Sequence, residues 1–237
     1  SAKLKALKNS GQAYTIVPVG QKGLKLEALT SQGIYYASKT LQQLVRAHAS
    51  AGNVEIPLLK VTDWPDLDER GLWGGDSAMN LDWLSERKMN VTENISARNV
   101  TRDGKGQSWP KDYWTNAPAE APQRAIRVVP AVLHLELVSG PFKDDKGEYT
   151  LFDVYPKLKA VNGGEDGVIC YSNPEFQNVL ADWIVDLKKL PGVEEVSVWL
   201  TENLGGTGGC KCEQCKKVDR SILEMRTAIA AWKKAQE

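Results

Sequence analysis

No apolar run in this chain approaches the ~20 residues needed to cross a bilayer, so no membrane span is expected. The opening Ser-Ala-Lys-Leu-Lys-Ala-Leu-Lys also lacks the apolar centre of a secretory signal, which was either removed or never present. Charge of one sign is missing too: 30 basic side chains balance 30 acidic ones. No field draws the protein to nucleic acid or to an anionic membrane surface, and neither is expected as a partner. Cysteine is scarce, with four in 237 residues, and nothing thioredoxin-like surrounds them, which argues against redox catalysis. What is present, 42% hydrophobic and 25% charged residues, is ordinary for a soluble globular chain. The length suffices for one large domain or two modest ones. The chain stops at Ala-Gln-Glu inside a helical pattern, so it is expected to be a piece of a longer protein.

The pivotal stretch is Asp63 to Asp76, Asp-Trp-Pro-Asp-Leu-Asp-Glu-Arg-Gly-Leu-Trp-Gly-Gly-Asp. Its Trp-Pro step holds the chain extended, three acids lead to Arg70, and a short apolar run broken by glycines reads as a strand whose backbone something approaches closely. Residues 1–62 before it read as a small α+β module. Strand-like Ala13 to Val19 and Leu24 to Leu29 flank a Gly20 to Gly23 turn. A helix follows from Gly33 to Ala49, with Ile34, Ala37, Leu41, Leu44 and Val45 at helical spacing, and Val54 to Val61 reads as a third strand. His48 near the helix end is expected to be a partly exposed side chain favoured by the helix dipole.

Residues 63–237 alternate strand and helix. Leu72 and Trp73 mark a first strand, Asn80 to Lys88 a helix, Met89 to Ala97 a second strand and Ile126 to Leu137 a third. Pro174 to Leu190 reads as a helix, Val193 to Leu200 as a fourth strand, and Val218 to Lys234 as a last helix with Ile222, Met225, Ile229 and Trp232 inward. Such alternation implies a parallel sheet with right-handed crossovers. A barrel of eight units needs about 250 residues, so only its first half is expected here. The stretch Thr101 to Pro122, rich in Gly, Pro and Trp, reads as a long loop suited to a binding excursion.

Several segments, in order, carry a resemblance: Gly11-Gln-Ala-Tyr-Thr-Ile, Gly33-Ile-Tyr-Tyr-Ala-Ser-Lys-Thr-Leu-Gln-Gln-Leu, Ile56-Pro, Asp63-Trp-Pro-Asp, Arg70-Gly, Lys88-Met-Asn-Val and Ile126-Arg-Val-Val-Pro. They resemble the accessory domain, domain junction and early barrel strands of glycoside hydrolase family 20 and its relatives, the α-glucuronidases among them. The resemblance implies an α/β protein: a small α+β accessory domain and then a (β/α)8 TIM barrel acting on sugars, with Arg70 binding hydroxyls of the terminal sugar. The departures are specific. Ala131 stands where the family carries a glutamate after the third strand, and Thr201-Glu202 stands where it carries an adjacent Asp-Glu pair. In the family that Asp orients the substrate's acetamido group and the Glu is the acid, so Glu202 can keep the acid role while Thr201 cannot act as a carboxylate. The segment from Cys170 to Cys215 is similar to bacterial relatives of these hydrolases that carry a Cys-x-Cys-x-x-Cys loop.

Glycosidic cleavage requires an acid and usually a second carboxylate some 5 to 10 Å away. Glu202, just past an expected barrel strand, is the candidate acid, with Asp76, Glu93 and Glu136 as possible second carboxylates. His134, inside an apolar strand, reads as a hydrogen-bonded core histidine. Trp73, Trp109, Tyr113 and Trp114 are candidates to floor a sugar site, because pyranose faces are apolar. Cys170, Cys210, Cys212 and Cys215 suit a structural zinc, with two disulfides or free thiols as the alternatives. In each version they tie the loop after the fourth strand to the helix after Cys170. No organic cofactor is expected. Sequons at Asn90, Asn94 and Asn99 are read as chance, two of them lying in an expected buried strand. Two function classes remain: a glycosidase, or a carbohydrate-binding protein that keeps the scaffold without the catalytic pair. A periplasmic or secreted bacterial location goes with either, and the oligomeric state is left open.

Overall fold

The computed structural model describes residues 2–50, 52–75, 80–161, 168–202 and 209–237. The chain divides into two units, residues 1–72 with 80–92 and 120–127 forming the first, and 73–79 with 93–119 and 128–237 the second.

The first unit opens with α1 (Ala2–Lys5), then β1 (Tyr14–Val19) and β2 (Gly23–Ala28), a hairpin in register from Tyr14 opposite Ala28 to Val19 opposite Gly23. Helix α2 (Ser31–Ala47) follows, capped by the Thr30 hydroxyl, which accepts from the Gly33 amide at 3.1 Å. It buries Gly33, Tyr36 and Ala37, with Ile34 turned outward. Gly33 is required by proximity: a Cβ there would stand 2.7 Å from the Ala13 carbonyl oxygen and 2.7 Å from the Ala28 Cβ. The third strand is not Val54 to Val61. Asn53–Val54 (β4) pairs with Ala49–Ser50 (β3) as a small ladder, and Val61–Asp63 (β5) is the segment that joins β1, antiparallel, with Tyr14 opposite Asp63. Pro57, which has no amide hydrogen to give a ladder, interrupts the expected strand. Tyr14, Ile16, Tyr36 and Ala37 form the core of this sheet-and-helix layer.

Three further strands follow: β6 (Gly71–Trp73), then, after helix α3 (Leu81–Glu86), β7 (Val91–Val100), and β8 (Gly106–Pro110). Gly71 has the close approach expected of it, since a Cβ would fall on the Val91 carbonyl. The 101–122 stretch is not a simple loop. Its β8 runs antiparallel to β7, with Ala97 opposite Trp109, and helix α4 (Ala117–Glu120) ends it. The outer amides of β8 are satisfied by carboxylates: Gly106 donates to Asp182 at 2.9 Å and Ser108 to Asp186 at 3.2 Å.

The remaining elements are β9 (Arg127–Val132), β10 (Phe142–Asp144), β11 (Gly147–Tyr149), α5 (Leu151–Val154), α6 (Glu175–Lys188), β12 (Ser197–Val198) and α7 (Arg220–Lys234). The sheet order is β12-β9-β7-β6, with β8 attached to β7, and β12 is parallel to β9. The third and fourth strands are therefore shorter than the apolar runs that mark them. The core of the second unit gathers Val132, Leu135, Leu151, Phe176, Leu180 and Trp183, and the Trp183 indole donates to the Asn99 carbonyl at 2.8 Å. Helix α7 reverses the expectation. It buries Glu224, Thr227 and Ala231 and exposes Ile222, Met225, Ile229 and Trp232. No helix of the described residues is long and apolar enough to cross a membrane.

Candidate functional site

In the second unit the ends of four strands bring acidic and aromatic side chains together. Trp73, the last residue of β6, is 65% exposed and meets the Trp199 ring edge-on at 5.1 Å. The Trp199 indole donates to Glu93 Oε1, on β7, at 2.6 Å. The same indole lies 5.0 Å from the ring of His134, just past β9. His134 keeps the hydrogen bond expected of it, Nδ1 to the Leu200 carbonyl at 3.1 Å, and a carbonyl acceptor requires that nitrogen to carry the hydrogen. Its other nitrogen faces Glu202 Oε2 at 3.8 Å. Glu136 accepts from the Glu202 amide at 3.1 Å through Oε1, while its Oε2 is buried with no hydrogen-bond partner among the described residues. Glu93 and Glu202 therefore belong to one constellation, with Glu136, His134 and Trp73.

Other candidates fall elsewhere. Asp76 lies outside the described residues. Trp114 is 1% exposed and donates to the Ile95 carbonyl at 3.0 Å, so it is a core side chain and not a sugar platform. Trp109 is exposed on β8. Arg70 belongs to the first unit, where its five N–H groups go to its own chain: Nε and Nη2 to the Lys88 carbonyl, Nη1 to the Leu67 and Asp68 carbonyls, and Nη2 also to Gln12 Oε1. A sugar would have to displace one of these bonds. Beside it, Lys88 Nζ reaches Asp63 at 2.9 Å and the Tyr14 hydroxyl at 2.6 Å. Burial pushes the Asp63 carboxyl up, but hydrogen bonds from Tyr14 and Lys88 outweigh it and hold the group below the usual carboxylate range.

Sequence reasoning missed Trp199 and the group beneath it. Thr201 is buried, its amide and hydroxyl both donating to the fully buried Glu224, at 2.8 and 2.6 Å. The only signal was position: Trp199 stands two residues before Thr201, at the end of an apolar strand pattern.

The four cysteine sulfurs lie within 4.8 Å of one another. All four are free, and Cys170 stands 3.8 Å from both Cys212 and Cys215, well beyond the ~2.05 Å of a disulfide. Four thiolates ~2.3 Å from a common tetrahedral centre stand ~3.8 Å apart, so the spacing suits a structural metal. Backbone amides already point at the sulfurs, Val161 to Cys210 at 3.3 Å and Cys215 to Cys212 at 3.4 Å. The Ser172 hydroxyl and then the Cys215 amide hold the Cys212 thiol down to about 6, whereas burial pushes Cys170 up to about 12.

A small α+β unit and a sheet of strands joined by helices, with carboxylates and indoles beside them, define an α/β fold class. Within it, the chain resembles glycoside hydrolase family 20: residues 2–64 match the model described as glycosyl hydrolase family 20, domain 2. The fold is similar to that of a chitobiase from Flavobacterium johnsoniae (TM-score 0.66, 17% identity, 94% of this chain and 38% of that one). It is also similar to a beta-N-acetylhexosaminidase from Bacteroides fragilis (0.65, 17%, 94% and 51%) and an exo beta-N-acetylglucosaminidase from Vibrio harveyi (0.66, 15%, 95% and 42%). The chain thus spans between 38% and 51% of the length of these three. No curated protein matches it in sequence.

Proposed function

We propose that this chain is the accessory domain and first half of the TIM barrel of a family 20-like glycoside hydrolase, which cleaves O-glycosidic bonds of oligosaccharides or glycans. The observation that supports it most is one linked set: the Trp199 indole donates to Glu93 and meets the His134 ring, His134 faces Glu202, and the Glu202 amide donates to Glu136. In this reading the exposed Trp73 supplies an apolar platform for a pyranose face. Glu202 is the acid, and Glu93 or Asp76 the second carboxylate. Trp109 is a further platform, and Arg70 would contact sugar only by exchanging one of its present bonds.

Cleavage assisted by the substrate's own acetamido group is not part of this proposal. The position that would need a carboxylate is Thr201, whose hydroxyl is turned inward to Glu224. The same observation favours a second reading, a carbohydrate-binding protein that keeps the scaffold without turnover. Both place the protein in the periplasm or outside a bacterial cell, where glycans are met. We assign the four thiols to a structural zinc, because their sulfurs converge at the spacing of a tetrahedral thiolate site and Cys170 stands 3.8 Å from Cys212 and Cys215, too far for a disulfide.

The test is the longer protein on a panel of aryl glycosides beside Glu202→Gln. Hydrolysis lost in the variant supports the acid role, and equal rates remove it. Absence of turnover on every glycoside, with binding retained, selects the second reading.

A further inference from the structure

The cysteine cluster and the glutamate cluster are joined by one short path. We infer that the metal state of Cys170, Cys210, Cys212 and Cys215 sets the position of Glu202, through Arg220 and Glu224. The inference rests on the reading of the four thiols as a zinc site.

From Cys215 the chain makes one tight turn, Cys215–Lys217, and enters α7 two residues later. Asp219 caps that helix, accepting from the Ser221 amide at 2.9 Å. Arg220, its first residue, sends Nε to Glu224 Oε1 at 2.8 Å and Nη2 to the Thr201 hydroxyl at 3.0 Å. Glu224 is 0% exposed and also accepts the Thr201 amide and hydroxyl. A carboxylate this deeply buried cannot release those donors without leaving a charge uncompensated in the interior. Thr201, and with it the peptide that starts Glu202, therefore follows the first turn of α7. That turn in turn follows the cysteines. At the other end Cys170 is anchored, its amide donating to the Leu158 carbonyl at 2.7 Å, four residues before Pro174 opens α6. A metal bridging Cys170 to the 210–215 loop fixes α7's start against this anchor. Glu202 is gripped from its other side by Glu136. The metal is thus a positioning element for the candidate acid, with no contact to substrate.

The longer protein is loaded with Zn2+ under reducing conditions and its zinc is counted by native mass spectrometry. The metal is then withdrawn with a chelator while amide hydrogen exchange is followed. About one zinc per chain is expected. On withdrawal, the Thr201 and Glu202 amides exchange at least about tenfold faster, as expected when a buried hydrogen-bonded group loses its partner. The amides of Leu180 and Trp183 in α6 keep their rates. With zinc still bound, Glu224→Gln accelerates exchange at Thr201 by itself. A bound zinc whose removal leaves Thr201 and Glu202 unchanged overturns the coupling and leaves the zinc assignment standing. Failure to bind zinc overturns both. Equal loss of protection in α6 also overturns the coupling, because it shows general unfolding instead of a local link. Unchanged exchange at Thr201 in Glu224→Gln overturns the path through Arg220 and Glu224.

Discussion

Helices α2 and α7 are similar in length and both carry an apolar stripe, yet α2 turns apolar side chains inward and leaves most of its stripe half-buried, while α7 turns a carboxylate inward and leaves its stripe exposed. Helix α2 lies on a sheet of apolar side chains and puts Tyr36 and Ala37 against Tyr14 and Ile16. Helix α7 turns Glu224, Thr227 and Ala231 inward and leaves Ile222, Met225, Ile229 and Trp232 about half exposed, at 44%, 52%, 48% and 50%. Periodicity selects the buried face when what lies beneath is apolar. On α7 the inward face is instead organised by one carboxylate, Glu224, which accepts from the Thr201 amide, the Thr201 hydroxyl and Arg220.

The sharpest way to break the contrast is Glu224→Leu, which restores the apolar logic of α7 but takes from the partly buried Arg220 its carboxylate and from Thr201 its acceptor. It is expected to cost about 3–5 kcal/mol in urea unfolding. On α2 the corresponding weak point is steric. Gly33→Ala forces a Cβ against Ala13 and Ala28 and should cost about 1–3 kcal/mol. Thr30→Ala, which removes the cap of α2, should cost about 1 kcal/mol, and serine at that position should recover most of it.

Acid provides a smaller effect in the sheet beneath α2. The Asp63 carboxyl is held below its usual range in the folded protein. Its contribution is complete above the unfolded value of about 3.9 and disappears as pH falls through the lower folded value. Asp63 is partly exposed, so the amount is under about 1 kcal/mol. In Asp63→Asn, thermal unfolding recorded from pH 6 downward should lose this part of the acid slope. Smallest of all, Ile229→Ser on the exposed side of α7 should shift stability by no more than about 0.5 kcal/mol. A larger loss would show that this face is covered.

Much of the first unit was legible. The clean alternation of Leu24 to Leu29 and the Gly20 to Gly23 turn gave a hairpin, and the helical spacing after Gly33 gave a helix. The third strand was not, because Val54 to Val61 is the more apolar run, and the Pro57 inside it, which bars a ladder, was passed over in favour of that apolarity. The Cys-x-Cys-x-x-Cys run with Cys170 was legible as a ligand set, and the sulfurs do converge. Strand β8 was hidden in a segment rich in Gly, Pro and Trp; it pairs with β7, and the carboxylates that take its outer amides, Asp182 and Asp186, are distant in sequence. Trp114 was misread as well: a tryptophan in a loop-like segment shows nothing of the Ile95 carbonyl that receives its N–H. The role of Trp199 was equally invisible, because it depends on Glu93, His134 and Trp73 arriving from three other strand ends.

The most direct measurement is binding of the longer protein to a broad glycan array, alongside Trp73→Ala and Trp199→Ala. At least one glycan class should bind, with affinity lost in Trp73→Ala and Trp199→Ala. No binding to any glycan, or undiminished binding by both of those variants, would contradict the account.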